Sequence, residues 1–154
     1  MFDKPIHIFD LDGTVIDSRH RYKTLDNGDI DLAHWLEASK CVETVFRDSL
    51  LPRAQTMRRV YAEGHLTIVC TSRTLDTIWP NFLKIHNLPY HALLARPQGC
   101  MTGDADLKEK MLDEFFGQHN TCIDELQCVM YEDHLGVIDR LSRRGVLCSI
   151  EGYQ

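Results

Sequence analysis

Asp10 and Asp12 stand two residues apart at the end of the apolar run Ile6–Phe9, in the stretch Ile8-Phe-Asp-Leu-Asp-Gly-Thr-Val15. Successive side chains of a strand point to opposite faces, so the two aspartates share one side while Leu11 turns to the other. Carboxylates that close repel each other, and a cation or a retained proton must offset the cost. Mg²⁺, hard and oxygen-seeking, suits such a pair, with Asp133 arriving from another strand end to complete the site. Gly13 lets the backbone turn tightly, and Thr14 offers a hydroxyl. An Asp-x-Asp alone also describes a turn or a helix cap. A calcium loop fails on spacing, because Asp10-Leu-Asp12-Gly13 lacks the third oxygen ligand before the glycine and the closing glutamate.

The elements that must position this pair follow from periodicity. After the first strand comes a polar stretch, 17–31, and then a helical pattern around Leu32, Trp35, Leu36, Val42, Val45 and Phe46, which together form an insert over about 16–51. From Pro52 a helix carries Met57, Val60 and Tyr61 and stops at Gly64. Leu66–Cys70 reads as a strand with Thr71-Ser-Arg73 at its end. A helix follows between Leu75 and His86, with Pro80 in its first turn or kinking it. Ala92–Ala95 is a short strand. Asp104 opens a helix with Leu107, Met111, Leu112 and Phe115 on one face, closed by Gly117. Cys128–Tyr131 is a strand ending at Glu132-Asp133. Ile138 and Leu141 mark a helix that ends at Gly145, and Val146–Ile150 is the last strand. This alternation argues an α/β fold, a doubly wound parallel sheet with helices on both faces, in which ligands bind beyond the carboxyl ends of the strands.

The 154 residues suit a single domain spanning 1–154. A 44% apolar and 26% charged composition is that of a globular chain. No apolar run reaches the roughly 18 to 20 residues of a membrane span, and the first residues lack a secretory pattern, so a cytoplasmic address is expected. The six cysteines form no CxxC pair and read as reduced thiols; the eight histidines show no HExxH spacing. A net charge of −6 disfavours extended tracking along a nucleic-acid backbone but leaves room to grip one phosphate. No GxxxxGK or GxGxxG is present, so neither a kinase phosphate loop nor a dinucleotide site is encoded.

With Asp10-Leu-Asp12-Gly13-Thr14 ending a first strand, Thr71 ending a second, Lys108 on a later helix and Glu132-Asp133 ending a further strand, the chain resembles the haloacid dehalogenase (HAD) superfamily of phosphohydrolases. Arg21, Arg73, the segment Arg96-Pro-Gln-Gly with Asp104-Ala-Asp-Leu-Lys108, and the ending Gly145–Tyr153 are similar to the phosphatase domain of polynucleotide kinase 3′-phosphatases. The chain departs from that pattern at Ser72, where glycine is usual, and at Glu132, where aspartate is usual; the first bears on the phosphate loop and the second on metal affinity.

The resemblance implies that Asp10 attacks phosphorus and becomes an aspartyl-phosphate, and that Asp12, its pKa raised by Asp10, protonates the departing alkoxide and later accepts a proton from water. It implies Mg²⁺ held by Asp10, Asp133 and the Asp12 carbonyl, with Glu132 orienting water there. Thr71 and Lys108 then bind phosphate oxygens, joined by Gly13, Ser72, Arg73 and Arg21. Arg21 and Arg73 alternatively form surface ion pairs, and Asp104 either contacts Lys108 or caps its helix. Trp35 and Phe46 are core residues or a lid over base or sugar. The function implied first is removal of 3′-phosphates from nucleic-acid ends in repair. Hydrolysis of free nucleotides or other small esters comes second, and a catalytically silent binding module third. Dehalogenating members lack an acid at the position of Asp12, which favours phosphate esters.

Overall fold

The computed structural model describes residues 2–150; Glu151–Tyr153 of the ending singled out above lie outside them. Five strands, β1 (Ile6–Phe9), β4 (Thr67–Thr74), β5 (Ala92–Arg96), β6 (Cys128–Tyr131) and β7 (Leu147–Ser149), form one sheet in the order β5-β4-β1-β6-β7, all parallel. The chain leaves β1 to build one flank and returns to build the other. The order therefore reverses beside β1, which opens a crevice at its carboxyl end.

Side-chain alternation sorts the two faces. Ile6 and Ile8 of β1, Ile68 and Cys70 of β4, and Cys128 and Met130 of β6 meet Leu107, Met111, Leu112 and Phe116 of α5 (Asp104–Gln118) and Val137 and Leu141 of α6 (Leu135–Ser142). Phe9, Leu11, Val69 and Tyr131 face the other way, onto Ala54, Met57 and Val60 of α3 (Arg53–Ala62) and Trp79, Phe82 and Leu83 of α4 (Ile78–Ile85). The period of two thus assigns Asp10 and Glu132 to the α5 side of the sheet before any site is considered.

Residues 16–50 form the insert. Its stem is a two-stranded antiparallel ladder, β2 (Ile16–Asp17) with β3 (Ser49–Leu50), and it carries α1 (Leu32–Ala38) and α2 (Val42–Phe46). Asp31 caps α1 by accepting from His34 N at 3.1 Å, and Phe46 meets Phe82 of α4 edge-on with ring centroids 5.7 Å apart. No helix among the described residues is long and apolar enough to cross a membrane.

Three expectations shift. β4 does not end at Cys70 but runs on through Thr74, because Thr71 and Thr74 still pair with Ala95 and Arg96 across a register shift. Gly103, not Asp104, is the N-cap of α5; Asp104 begins the helix and turns its carboxylate to Arg96 at 3.4 Å. α5 also continues past Gly117 to Gln118, with Phe116 buried in place of Phe115.

His7, in β1, carries a local prediction. Burial, then the adjacent His65, lower its pKa from 6.5, and its ring is 2.9 Å from the Tyr131 hydroxyl. A histidine whose folded pKa is depressed contributes stability present above the unfolded value and lost as pH falls below it. The urea midpoint is expected to drop between pH 7.5 and pH 5.5, and His7→Gln, which keeps a polar partner for Tyr131, is expected to drop less.

Candidate active site

Asp10 follows β1 directly, its N–H bonded to Tyr131 O of β6 at 2.9 Å. Its carboxylate is buried and held at both oxygens: Lys108 Nζ donates to Oδ1 at 2.8 Å and Thr14 Oγ1 to Oδ2 at 3.0 Å. Lys108 lies one turn into α5 on the face that covers β1, which is why a lysine far along the chain reaches this aspartate. Its ammonium also donates to Glu132 Oε2 at 2.7 Å, and Glu132 Oε1 accepts from His134 N at 3.2 Å. Lys108 is fully buried, and the acids on either side hold it protonated against the cost of burial.

Asp133 completes a triad. Asp10, Glu132 and Asp133 each place a carboxylate oxygen so that all three lie within 4.8 Å of one another. One ammonium does not balance three carboxylates. Burial and the charge of Asp10 push Asp133 up to about 7, and the same two causes raise Glu132. Such a surplus of hard oxygen ligands suits a divalent cation of the Mg²⁺ type.

Asp12 stands in a different environment. Arg73 clasps it bidentately, Nε to Oδ2 at 2.8 Å and Nη2 to Oδ1 at 2.6 Å, and Ser18 Oγ donates to Oδ1 at 2.6 Å. Burial raises the Asp12 pKa, but Arg73, Ser18 and the more distant Arg21 outweigh it and hold the carboxyl below the usual range. The expectation of a raised Asp12 pKa is corrected: burial is the opposing cause, and the guanidinium in contact outweighs it. Gly13, at φ 83°, takes the left-handed turn that glycine permits, and it donates its N–H to Ile16 O at 2.9 Å, not to an open site.

Thr71 Oγ1 accepts from Arg73 N at 3.1 Å, which leaves the hydroxyl proton available. Ser72 Oγ and Arg73 Nη1 are buried polar atoms without a hydrogen-bond partner among the described residues. The Ser72 carbonyl is pinned by Arg96 Nε at 2.8 Å, while Arg96 Nη1 gathers the carbonyls of Cys100 and Thr102.

Arg21 is not a surface residue. It donates to both oxygens of Asp48 at 3.0 Å and to Ser39 Oγ at 2.8 Å, and its Cζ lies 4.1 Å from the centre of the Trp35 ring. Asp48 also accepts from Arg73 Nη2 at 3.2 Å and lies 2.7 Å from His20 Nε2.

A profile for the bacteriophage T5 5′-deoxynucleotidase family matches residues 2–149. The chain belongs to that family. The 5′-deoxynucleotidase of Escherichia phage T5 is 33% identical over 74 residues, a match covering 46% of this chain and 30% of that protein. Among solved structures, a chain of the Pnkp1/Rnl/Hen1 RNA repair complex superposes with a TM-score of 0.69 at 21% identity, covering 99% of this chain and 46% of that one. The haloacid dehalogenase-like hydrolase SP0104 of Streptococcus pneumoniae gives 0.63 at 14% identity, with 96% and 84% covered. A phosphoserine phosphatase gives 0.57 at 11%, with 97% and 95% covered. The fold is that of the HAD superfamily. The chain spans about half the length of the RNA repair chain.

In this family member the structure brings Asp10, Lys108, Glu132 and Asp133 into contact, and sets Asp12, Arg73 and Arg21 beside them in a second cluster. Asp104 pairs with Arg96, whereas Lys108 pairs with Asp10 and Glu132. Asp48 and Ser18 are not singled out by the sequence, and Arg96 enters there only as part of the segment that carries the resemblance, without a role of its own. The one sequence signal for Asp48 is an acid returning between Phe46 and the apolar pair Leu50-Leu51, where the insert rejoins the sheet.

Proposed function

We propose that this protein is a Mg²⁺-dependent phosphomonoesterase of nucleotides that works through a phosphorylated Asp10. The observation that carries the reading is a carboxylate aligned by Lys108 and Thr14, beside Glu132 and Asp133, at the strand ends of a T5 5′-deoxynucleotidase family chain.

The crowding of three carboxylates around one ammonium fits a divalent ion, which Asp10, Asp133 and the Asp12 carbonyl would hold with Glu132 alongside. When bound, that ion neutralises charge on the transferring phosphoryl group. The chain's own residues perform the rest. Asp10 attacks phosphorus, the ester P–O bond breaks, and Asp12 supplies a proton to the alkoxide that leaves. Water then attacks the phosphorylated Asp10, Asp12 takes its proton, and inorganic phosphate departs. Lys108, the Thr71 hydroxyl and the unpartnered Ser72 Oγ receive phosphoryl oxygens in this reading. Asp12 at rest is a carboxylate clamped by Arg73; ligand oxygens that draw on the guanidinium loosen that clamp and let Asp12 carry a proton. Residues 16–51 act as a small cap, and the whole chain acts as one catalytic domain.

The motifs alone rank 3′-phosphorylated nucleic-acid ends first. Family membership moves free nucleotides ahead. Phosphate release is to be measured from 5′- and 3′-deoxynucleoside monophosphates and a 3′-phosphorylated oligonucleotide, with Mg²⁺ and with EDTA. Hydrolysis of the 5′-monophosphates, abolished by EDTA and restored by Mg²⁺, is expected. Faster hydrolysis of the oligonucleotide than of any mononucleotide would return the polynucleotide substrate to first place, and no release from any ester would end the phosphatase reading.

A further inference from the structure

A cleft of about 210 Å³ opens between the insert and the sheet, lined among others by Trp35, Ser39, Arg73, Asp76, Trp79 and Gln98. Its walls come from α1, from β4 and the loop into α4, and from the loop that follows β5. Arg73 links it to the reaction centre: the guanidinium that lines the cleft is the one that grips Asp12 at 2.6 and 2.8 Å. The third nitrogen of that guanidinium, Nη1, is buried without a partner among the described residues, on a side chain only 2% exposed. A buried N–H left unmade is costly unless a ligand supplies the acceptor.

The polar atoms around the cleft have a definite sense. Asp76 Oδ1 is committed to the first turn of α4, accepting from Ile78 N at 2.8 Å and Trp79 N at 3.3 Å, so Oδ2 is its uncommitted acceptor. Gln98 Nε2 is committed to Leu75 O at 3.0 Å, so its carbonyl oxygen is likewise the uncommitted end. The cleft therefore offers two uncommitted acceptors and one unpartnered donor, with the Lys40 ammonium in its lining turned to Glu37 at 3.0 Å, beside two largely buried indoles, Trp35 at 9% exposure and Trp79 at 1%. A partly apolar enclosure with a few fixed polar atoms is the recognition chemistry of a base held out of a stack. Adenine and cytosine each present an exocyclic amino donor, guanine presents its own N2 amino group, and thymine presents a carbonyl where cytosine has the amine.

The geometry points to this cleft as the nucleobase subsite of the enzyme, selective for bases that carry an exocyclic amino group, with an oxygen of the sugar meeting Arg73 Nη1. The inference rests on the nucleotidase reading and deepens it. It explains why the insert presses an aromatic residue against the second cluster: α1 and Arg21 hold Trp35 in place as a wall, and through Asp48 the same Arg21 fixes the Arg73 guanidinium.

The test compares kcat/KM for dAMP, dCMP, dGMP, dTMP and deoxyribose 5-phosphate, in the wild type and in Asp76→Asn. Asparagine retains an oxygen for the two N–H groups of α4 and caps helices as well as aspartate, so the fold persists, as a thermal melt will verify. Its amide nitrogen then takes the place of Oδ2, and an acceptor becomes a donor. In the wild type, the amino-bearing nucleotides are expected to exceed dTMP by roughly tenfold, the size of one hydrogen-bond mismatch in a buried site, and to exceed deoxyribose 5-phosphate by more. In Asp76→Asn the dCMP-to-dTMP ratio is expected to fall at least tenfold. If nucleotides are hydrolysed no better than deoxyribose 5-phosphate, or if the ratio is the same in both proteins, the subsite is overturned while the nucleotidase reading stands. If deoxyribose 5-phosphate is hydrolysed and no nucleotide is, both fall.

Discussion

Asp10→Asn is expected to abolish turnover, lowering kcat by roughly four to six orders of magnitude, the cost of removing a residue on which a catalytic group acts as a unit. Two losses combine. The amide oxygen is a poor nucleophile toward phosphorus, and the charge that Lys108 and Thr14 align disappears. The same substitution is expected to raise the thermal midpoint. Asp10 is a cause of the upward shifts of both Asp133 and Glu132, so its removal relieves a repulsion that the single ammonium of Lys108 does not balance. Asparagine still presents an oxygen to Lys108, and the buried lysine retains Glu132 as its counter-ion. Inactivity with a gain in stability separates a catalytic role from a folding one. In the wild type, acid quench during turnover followed by intact-mass measurement is expected to show one added phosphoryl group, absent in Asp10→Asn. Activity within tenfold of wild type in that variant would remove the covalent route.

The sheet was legible because its signals are local. Each strand is a short apolar run with turn residues around it, and the period of two carries Asp10 and Glu132 to the face where α5 brings Lys108. The boundary of the second of these strands was misjudged: Thr71 lies within β4, not beyond it, and its hydroxyl oxygen accepts from Arg73 N. The charge state of Asp12 was not legible from its own neighbourhood. Nearest in sequence is Asp10, which argues for a raised pKa. Nearest in space is Arg73, 61 residues away, which pulls it down. Asp104 failed similarly, since a preferred capping residue next to a helix start competes with a tertiary partner, and Arg96 took the carboxylate.

The insert was the least legible part, and Asp48 shows why. β2 and β3 contribute two residues each, too few for any periodic signal, and their pairing sets where the returning chain delivers its acid. Delivered there, Asp48 becomes the common counter-ion of two buried guanidiniums, with side-chain exposures of 0% for Asp48, 1% for Arg21 and 2% for Arg73. Removing one member of a buried ionic cluster strands its partners without compensation, so Asp48→Ala is expected to lower stability by about 3 to 5 kcal/mol. Asp48→Asn is expected to cost less, because one oxygen remains for Arg21 Nε or Arg73 Nη2. The kinetic effect follows from Arg73, whose Nη2 divides itself between Asp48 and Asp12. Without Asp48 the guanidinium shifts toward Asp12 alone, and Arg73 and Asp12 are displaced together. A displacement of about 1 Å at a reacting group costs on the order of a hundredfold, and kcat/KM for a nucleotide is expected to fall by that factor in Asp48→Asn under conditions where it remains folded. The check is urea unfolding of both variants beside their kinetics. A fully active Asp48→Ala protein of wild-type stability would mean that Arg21 and Arg73 are neutralised from elsewhere, and that the insert does not hold the second cluster in place.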